Sequence, residues 1–155
     1  MDVELDRPRY RVTGVLRFTP RLQAGLEYNP RAGEVSVIGN YILATESETS
    51  PMINFGTSSD RIGTPPGPHA YYFTFAKSIP KLKAGPYLSV NYSEYDRRLN
   101  LPFGVSYSLQ PGLSAMFMND GRKSHLLLTY SKENWSVSGL LIWMKHPGIS
   151  VSFGF

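Results

Sequence analysis

The chain has 155 residues, with 16 basic and 12 acidic side chains and a formal net charge of +4. That length fits one domain, and so mild a charge does not by itself indicate a nucleic-acid partner. The absence of cysteine excludes disulfide frameworks, thiolate metal sites and cysteine nucleophiles. Aromatics make up 13% of the residues, beside 14 Gly and 12 Pro, and the mean hydropathy is −0.23. No stretch approaches the roughly 18–20 apolar residues that a membrane helix needs.

The opening residues, MDVELDRPRY, are charged and do not form a signal peptide. An exported protein is therefore expected here in its mature form with an added Met1. Met1 to Asp6, with Val3 and Leu5, is a candidate short strand ahead of the Asp6-Arg7-Pro8 break. From Arg9 onward, short runs of period two predict strands with two unlike faces. Tyr10, Val12, Leu16 and Phe18 oppose Arg11, Thr13, Val15 and Arg17, and a turn follows at Thr19-Pro20-Arg21. Leu22, Ala24, Leu26 and Tyr28 oppose Gln23, Gly25 and Glu27, before an Asn29 to Gly33 turn. Val35, Val37, Tyr41 and Leu43 form the next apolar face.

Thr45 to Pro51 reads as a polar connection, Met52 to Thr57 as a short strand, and Ser58 to His69 as the longest loop. Tyr71, Phe73 and Phe75 share one face of a strand over Ala70 to Lys77. After Ile79-Pro80, a strand carries Leu82, Ala84, Pro86, Leu88, Val90 and Tyr92 on one face, with Pro86 removing a ladder donor. Leu101 to Leu109 alternates, turns at Gln110-Pro111-Gly112, and leads through Leu113, Ala115 and Phe117 to the hairpin signal Asn119-Asp120-Gly121. Leu126, Leu128 and Tyr130 continue the pattern. After Lys132 to Asn134 come Trp135, Val137, Leu141 and Trp143, and a turn is expected at His146-Pro147-Gly148. Ile149, Val151, Phe153 and Phe155 end the chain on one face. Eleven strands can be counted, connected as an antiparallel meander.

Alternation alone does not say which face meets water. From Leu99 onward the charges Asp120, Arg122, Lys123, Lys132, Glu133 and Lys145 all lie at or beside turns, and the polar faces carry Ser, Gly and Thr. A solvated outer face normally bears many Lys and Glu, whereas a mid-depth charge facing lipid costs about 2–4 kcal/mol. Tyr10, Phe18, Tyr28, Tyr92, Trp135 and Trp143 fall near strand ends on the apolar face, as in interfacial aromatic girdles.

The terminal strand from Gly148 resembles the C-terminal assembly signal of bacterial outer-membrane β-barrels. Phe155 and Phe153 match its aromatic or apolar positions, and Ile149 and Val151 continue the face, while Ser150 stands where the motif usually has glycine. The resemblance implies recognition by the barrel-assembly machinery and location in the bacterial outer membrane, in contact with outer-membrane lipid. The expected fold is all-β: one antiparallel up-and-down transmembrane β-barrel domain over residues 1–155. Because such barrels usually have an even strand number, ten to twelve strands are expected, twelve preferred, with residues 1–8 as a short strand or periplasmic tail. If the C-terminus is periplasmic, Ser58 to His69 and the loops near Asp96-Arg97-Arg98 and Asn119-Gly121 are extracellular.

The candidate lumen-lining residues are Arg11, Arg17, Gln23, Glu27, Asn91 and His125. Arg11, Arg17 and Glu27 suit either a charged constriction or a plug of ion pairs. His125 is the weak catalytic candidate, with Ser124 and Ser136 as hydroxyls in its region, but no third group to orient it is evident. No metal site and no cofactor are expected, and with no recognition helix and the basic residues at turns, no nucleic acid. Three functions fit: a narrow porin-like channel or structural envelope protein, passing a small solute or joining a larger envelope complex; an outer-membrane lipid-modifying enzyme; or a soluble lipocalin-like barrel holding an apolar ligand.

Overall fold

Period-two alternation turns into strands throughout the computed structural model, which describes residues 10–154. The fold is all-β. Its strands are β1 (Val12–Arg17), β2 (Leu22–Asn29), β3 (Glu34–Ala44), β4 (Met52–Ser59), β5 (His69–Ala76) and β6 (Ala84–Ser93), followed by β7 (Arg98–Asn100), β8 (Phe103–Gln110), β9 (Leu113–Asn119), β10 (Ser124–Lys132), β11 (Trp135–Ile142) and β12 (His146–Phe153). They follow chain order in one sheet, with β7 beside β6 and off the main path. The ladders are antiparallel, as tight turns between neighbours require. Among the described residues β1 and β12 end the strand order and share no ladder.

Twelve strand segments make eleven ribbons. Asn91 pairs with Asn100, and three residues back along β6 Leu88 pairs with Phe103. That is one continuous register, so β7 and β8 are a single ribbon interrupted at Leu101-Pro102, where proline has no N–H to give. The extra strand expected at Met1–Asp6, like the terminal Phe155, lies outside the described residues.

The chain divides into two compact units, Met1–Phe75 with Ser89–Asn100, and Ala76–Leu88 with Leu101–Phe155. Both have the same unusual burial. Among the described residues the buried hydrophobics are Ala70, Ala84 and Trp143, whereas Glu27, Asp60, Ser89, Ser93 and His125 are buried. The expected apolar faces are exposed: Leu26, Val37, Phe73, Leu128 and Val151 all stand open. On this exposed face Phe55 and Phe73 rings meet at 4.9 Å. On the opposite face tyrosine rings pack against glycines. A β-carbon at Gly56 would stand 2.5 Å from the Tyr72 ring, and one at Gly104 would stand 2.6 Å from that of Tyr87, so only glycine leaves room for each ring.

The last hairpin departs from expectation. The turn is Trp143-Met144, not His146-Pro147-Gly148: the Lys145 N–H donates to the Ile142 carbonyl at 3.1 Å, and β12 already pairs His146 with Ile142. Trp143 and Met144 have φ of 54° and 55°, the left-handed pair of a tight hairpin that normally selects Asn-Gly. Pro147 falls near the start of β12, where a strand tolerates proline. Trp143 is therefore not a strand-end girdle residue. It is buried in the turn, with the Lys123 ammonium 4.3 Å from its ring centroid and the His146 ring edge-on at 5.7 Å. Trp135 keeps its expected place near a strand end, half-buried against Tyr130 at 5.8 Å.

Met144 is exposed, so Met144→Gly forfeits no buried contact. Left-handed backbone costs a non-glycine residue about 1–2 kcal/mol, and glycine returns about 0.5–1 kcal/mol of that through unfolded-state entropy. The variant is expected to be more stable by about 0.5–1 kcal/mol. Urea midpoints of the two proteins in one detergent check this, and an unchanged or lowered midpoint would contradict it.

Candidate functional site

The polar face of the first unit gathers charges far apart in sequence. Register places Thr13 opposite Glu27, and Glu27 opposite Ser36. Arg11 lies next to this row, and its Nε sits 3.2 Å from the Glu27 carboxylate. The Ser59 hydroxyl donates to Glu27 Oε1 at 2.5 Å and receives Arg11 Nη2 at 3.4 Å. Glu27 is buried while Arg11 is half exposed, so the arginine neutralises a carboxylate already removed from water.

A second cluster holds the loop between β4 and β5. The Asp60 N–H donates to the Pro68 carbonyl and closes the loop at its base. The Asp60 carboxylate, 1% exposed, accepts the Ser93 hydroxyl at 2.5 Å, the Arg61 N–H at 2.7 Å and the Tyr95 N–H at 3.4 Å. The Arg61 guanidinium pairs with Asp96 through both nitrogens. The longest loop is thus stitched to the β6–β7 turn, and Thr64 within it is fully buried. Of the expected Asp96-Arg97-Arg98 cluster, Asp96 belongs to this network, and Arg97 and Arg98 stay exposed. Just outside, Glu94 accepts the His69 N–H and the Tyr71 hydroxyl. The His69 hydrogen bond, then that of Tyr71, holds the Glu94 carboxyl below its usual range despite a small opposing effect of burial.

A cavity of about 180 Å³ opens on this unit. Arg11, Gln23, Glu27, Asn40, Thr57 and Tyr72 are among its lining residues. Three of the expected lumen residues, Arg11, Gln23 and Glu27, therefore meet in one place. Arg17 lies opposite Gln23 in the β1–β2 ladder and is exposed. Asn91 faces Asn100 across the β6–β7 ladder. Asn40, Thr57 and Tyr72 went unnoticed in the sequence, where isolated Asn, Thr and Tyr on alternating strands are too common to attract attention.

His125 lies in the second unit and is buried. Its Nε2 is 3.2 Å from Asp120 Oδ2, so the orienting group that the sequence did not reveal is a carboxylate five residues earlier in the hairpin turn. Asp120 Oδ1 also accepts the N–H groups of Arg122 and Lys123 at 2.9 and 2.8 Å, and Gly121 takes the left-handed position at φ 94°. The expected hydroxyls do not complete a triad. Ser124 precedes His125 on one strand and so faces the other side. Ser136 pairs with Ser131, six residues from His125, or about 20 Å along the strand. The cross-strand partner of His125 is Met118. No group of three or more His, Cys, Asp or Glu suited to a metal occurs among the described residues.

Burial is the largest single influence on the Asp120 carboxyl and pushes it up. The hydrogen bonds from His125, Lys123 and Arg122, with the charge of His125, outweigh it and leave the carboxyl below its ordinary value. A carboxyl with a lowered folded-state pKa stabilises the fold above its unfolded value, and that contribution is lost as pH falls through the folded one. Stability is therefore expected to fall as pH drops below about 4, the unfolded aspartate value, and to fall less steeply in Asp120→Asn. Urea midpoints between pH 6 and pH 3 check this; equal slopes in the two proteins would contradict it.

Comparison with protein-family models, characterised proteins and solved structures finds no match to this chain.

Proposed function

We propose that the chain is a small transmembrane β-barrel of a bacterial outer membrane, its polar face lining a narrow solute path. One observation carries the reading: burial is inverted. In water, exposing Leu, Val and Phe along every strand while burying Glu27, Asp60, Ser93 and His125 would forfeit the main driving force of folding and add the cost of desolvating charge. In lipid the same arrangement is favourable, because the apolar band meets hydrocarbon and the polar set faces a lumen.

Closure of the meander into a ring belongs to this proposal, since an open edge in hydrocarbon leaves backbone N–H and C=O groups unsatisfied. Recognition of Ile149, Val151, Phe153 and Phe155 by the barrel-assembly machinery belongs to it too. The pairing of Arg11 with Glu27 and of Arg61 with Asp96 favours a narrow path over a wide charged pore. The lipid-modifying reading has the His125–Asp120 pair in its favour, but neither of the serines it needs.

Folding should be measured with and without detergent, together with gel mobility before and after boiling. A barrel folds only in detergent or lipid and changes mobility on boiling. A monomer that folds in plain buffer would overturn the reading and send the apolar faces inward around a ligand.

A further inference from the structure

In the second unit the face opposite the exposed apolar one changes character along its strands. Hydroxyls form one row across β8 to β12: Ser108 pairs with Ser114, Ser114 with Thr129, Thr129 with Ser138 and Ser138 with Ser150. The Thr129 and Ser138 oxygens lie 2.8 Å apart, in hydrogen-bond contact. Two residues along each strand, on the same face, the next row runs Ser106, Met116, Leu127, Leu140 and Gly148. On β9, β10 and β11 a hydroxyl therefore gives way to a large apolar side chain at one level.

These three residues are not part of the exposed apolar face. Leu127 is half-buried between the exposed Leu126 and Leu128, and Met116 is half-buried beside the exposed Phe117. Leu140 is half-buried as well. A β-carbon at Gly148 would stand 3.7 Å from both Leu140 Cβ and Ile142 Cδ1, so these two side chains lie on the Gly148 face. The apolar character continues toward the β9–β10 turn, where Met118 pairs with His125.

A row of hydroxyls can replace part of the water around a passing ion, whereas leucine offers no donor or acceptor and methionine a weak acceptor at most. An ion level with the second row must keep its water or lose it without compensation, and an apolar constriction in a pore excludes water itself. We propose that Met116, Leu127 and Leu140 form an apolar step in the wall of the solute path and hold back ions. Uncharged solutes cross such a step at lower cost, because their desolvation is cheaper than that of a charge. The inference rests on the solute-path reading and adds the class of particle that the path excludes.

Potassium flux from vesicles that contain the full chain tests it. Wild-type vesicles should sustain a potassium chloride gradient. Leu127→Ser and Leu140→Ser should each raise ion flux about tenfold, the effect of one hydrogen bond supplied to the ion or its water. Leu128→Ser, the same replacement one residue away on the opposite face, should leave flux unchanged. Gel mobility before and after boiling confirms that each protein is folded. Equal flux in Leu127→Ser and Leu128→Ser overturns the step and leaves the barrel standing. So does a heat-modifiable wild type that dissipates the gradient at once, whether or not any variant folds. A monomer that folds in plain buffer overturns the barrel, and the step with it.

Discussion

Replacing Leu128 by arginine is expected to destabilise the folded protein in lipid vesicles by about 2–4 kcal/mol. Leu128 sits at the middle of β10, on its exposed face, opposite Ala115 on one side and Gly139 on the other. If that face meets hydrocarbon, the guanidinium is placed where neither water nor a counter-charge reaches it, and the strand centre is too far from either rim for easy escape. If the face meets water, an exposed leucine can become arginine at a cost within about 0.5 kcal/mol. Leu128→Ala serves as the control for lost apolar surface alone. Urea unfolding in vesicles, followed by tyrosine and tryptophan emission, separates the cases. Equal stabilities for the arginine and alanine variants would remove the physical basis for a lipid-facing surface.

Asp60→Ala should be equally severe for a different reason. The carboxylate is almost wholly buried and accepts from Ser93, the Arg61 N–H and the Tyr95 N–H. Truncation strands those donors and leaves the Arg61 guanidinium with Asp96 as its remaining anion. Removing one partner from a buried charged network costs about 3–5 kcal/mol. Asp60→Asn keeps an acceptor oxygen and should cost less. Since this network ties the β4–β5 loop to the β6–β7 turn, protease cleavage between residues 60 and 68 should also become faster in Asp60→Ala. A stability change below about 1 kcal/mol, with cleavage unaltered, would mean that the network adds little to the fold.

How far the fold could be read from sequence depends on the range of the interaction involved. Alternation is a property of neighbours, and it placed the ribbons, their apolar faces and most turns. Asn119-Asp120-Gly121 turned the chain as its composition requires. Where the local signal misled, another constraint prevailed. His146-Pro147-Gly148 has turn composition, yet the ladder from Ile142 to His146 moved the reversal onto Trp143-Met144, residues with no turn preference, and buried Trp143 in the turn. The ribbon broken at Leu101-Pro102 became two strand segments because a proline cannot donate, which restored a segment count of twelve without a twelfth ribbon.

The sequence by itself determined that this chain forms an antiparallel meander with one apolar and one polar face, since both follow from a two-residue period set by the geometry of each strand. Only the tertiary structure decided which polar residues meet. Ser59 reaches Glu27 across 32 residues, Ser93 reaches Asp60 across 33, and Arg61 reaches Asp96 across 35. Those encounters depend on ladder registers and on where a loop folds back, quantities accumulated over several hairpins. Arg11 and Glu27 could be assigned to a polar face from alternation alone. That they neutralise each other beside Ser59 follows from adjoining strands held in register, and no local pattern contains that information.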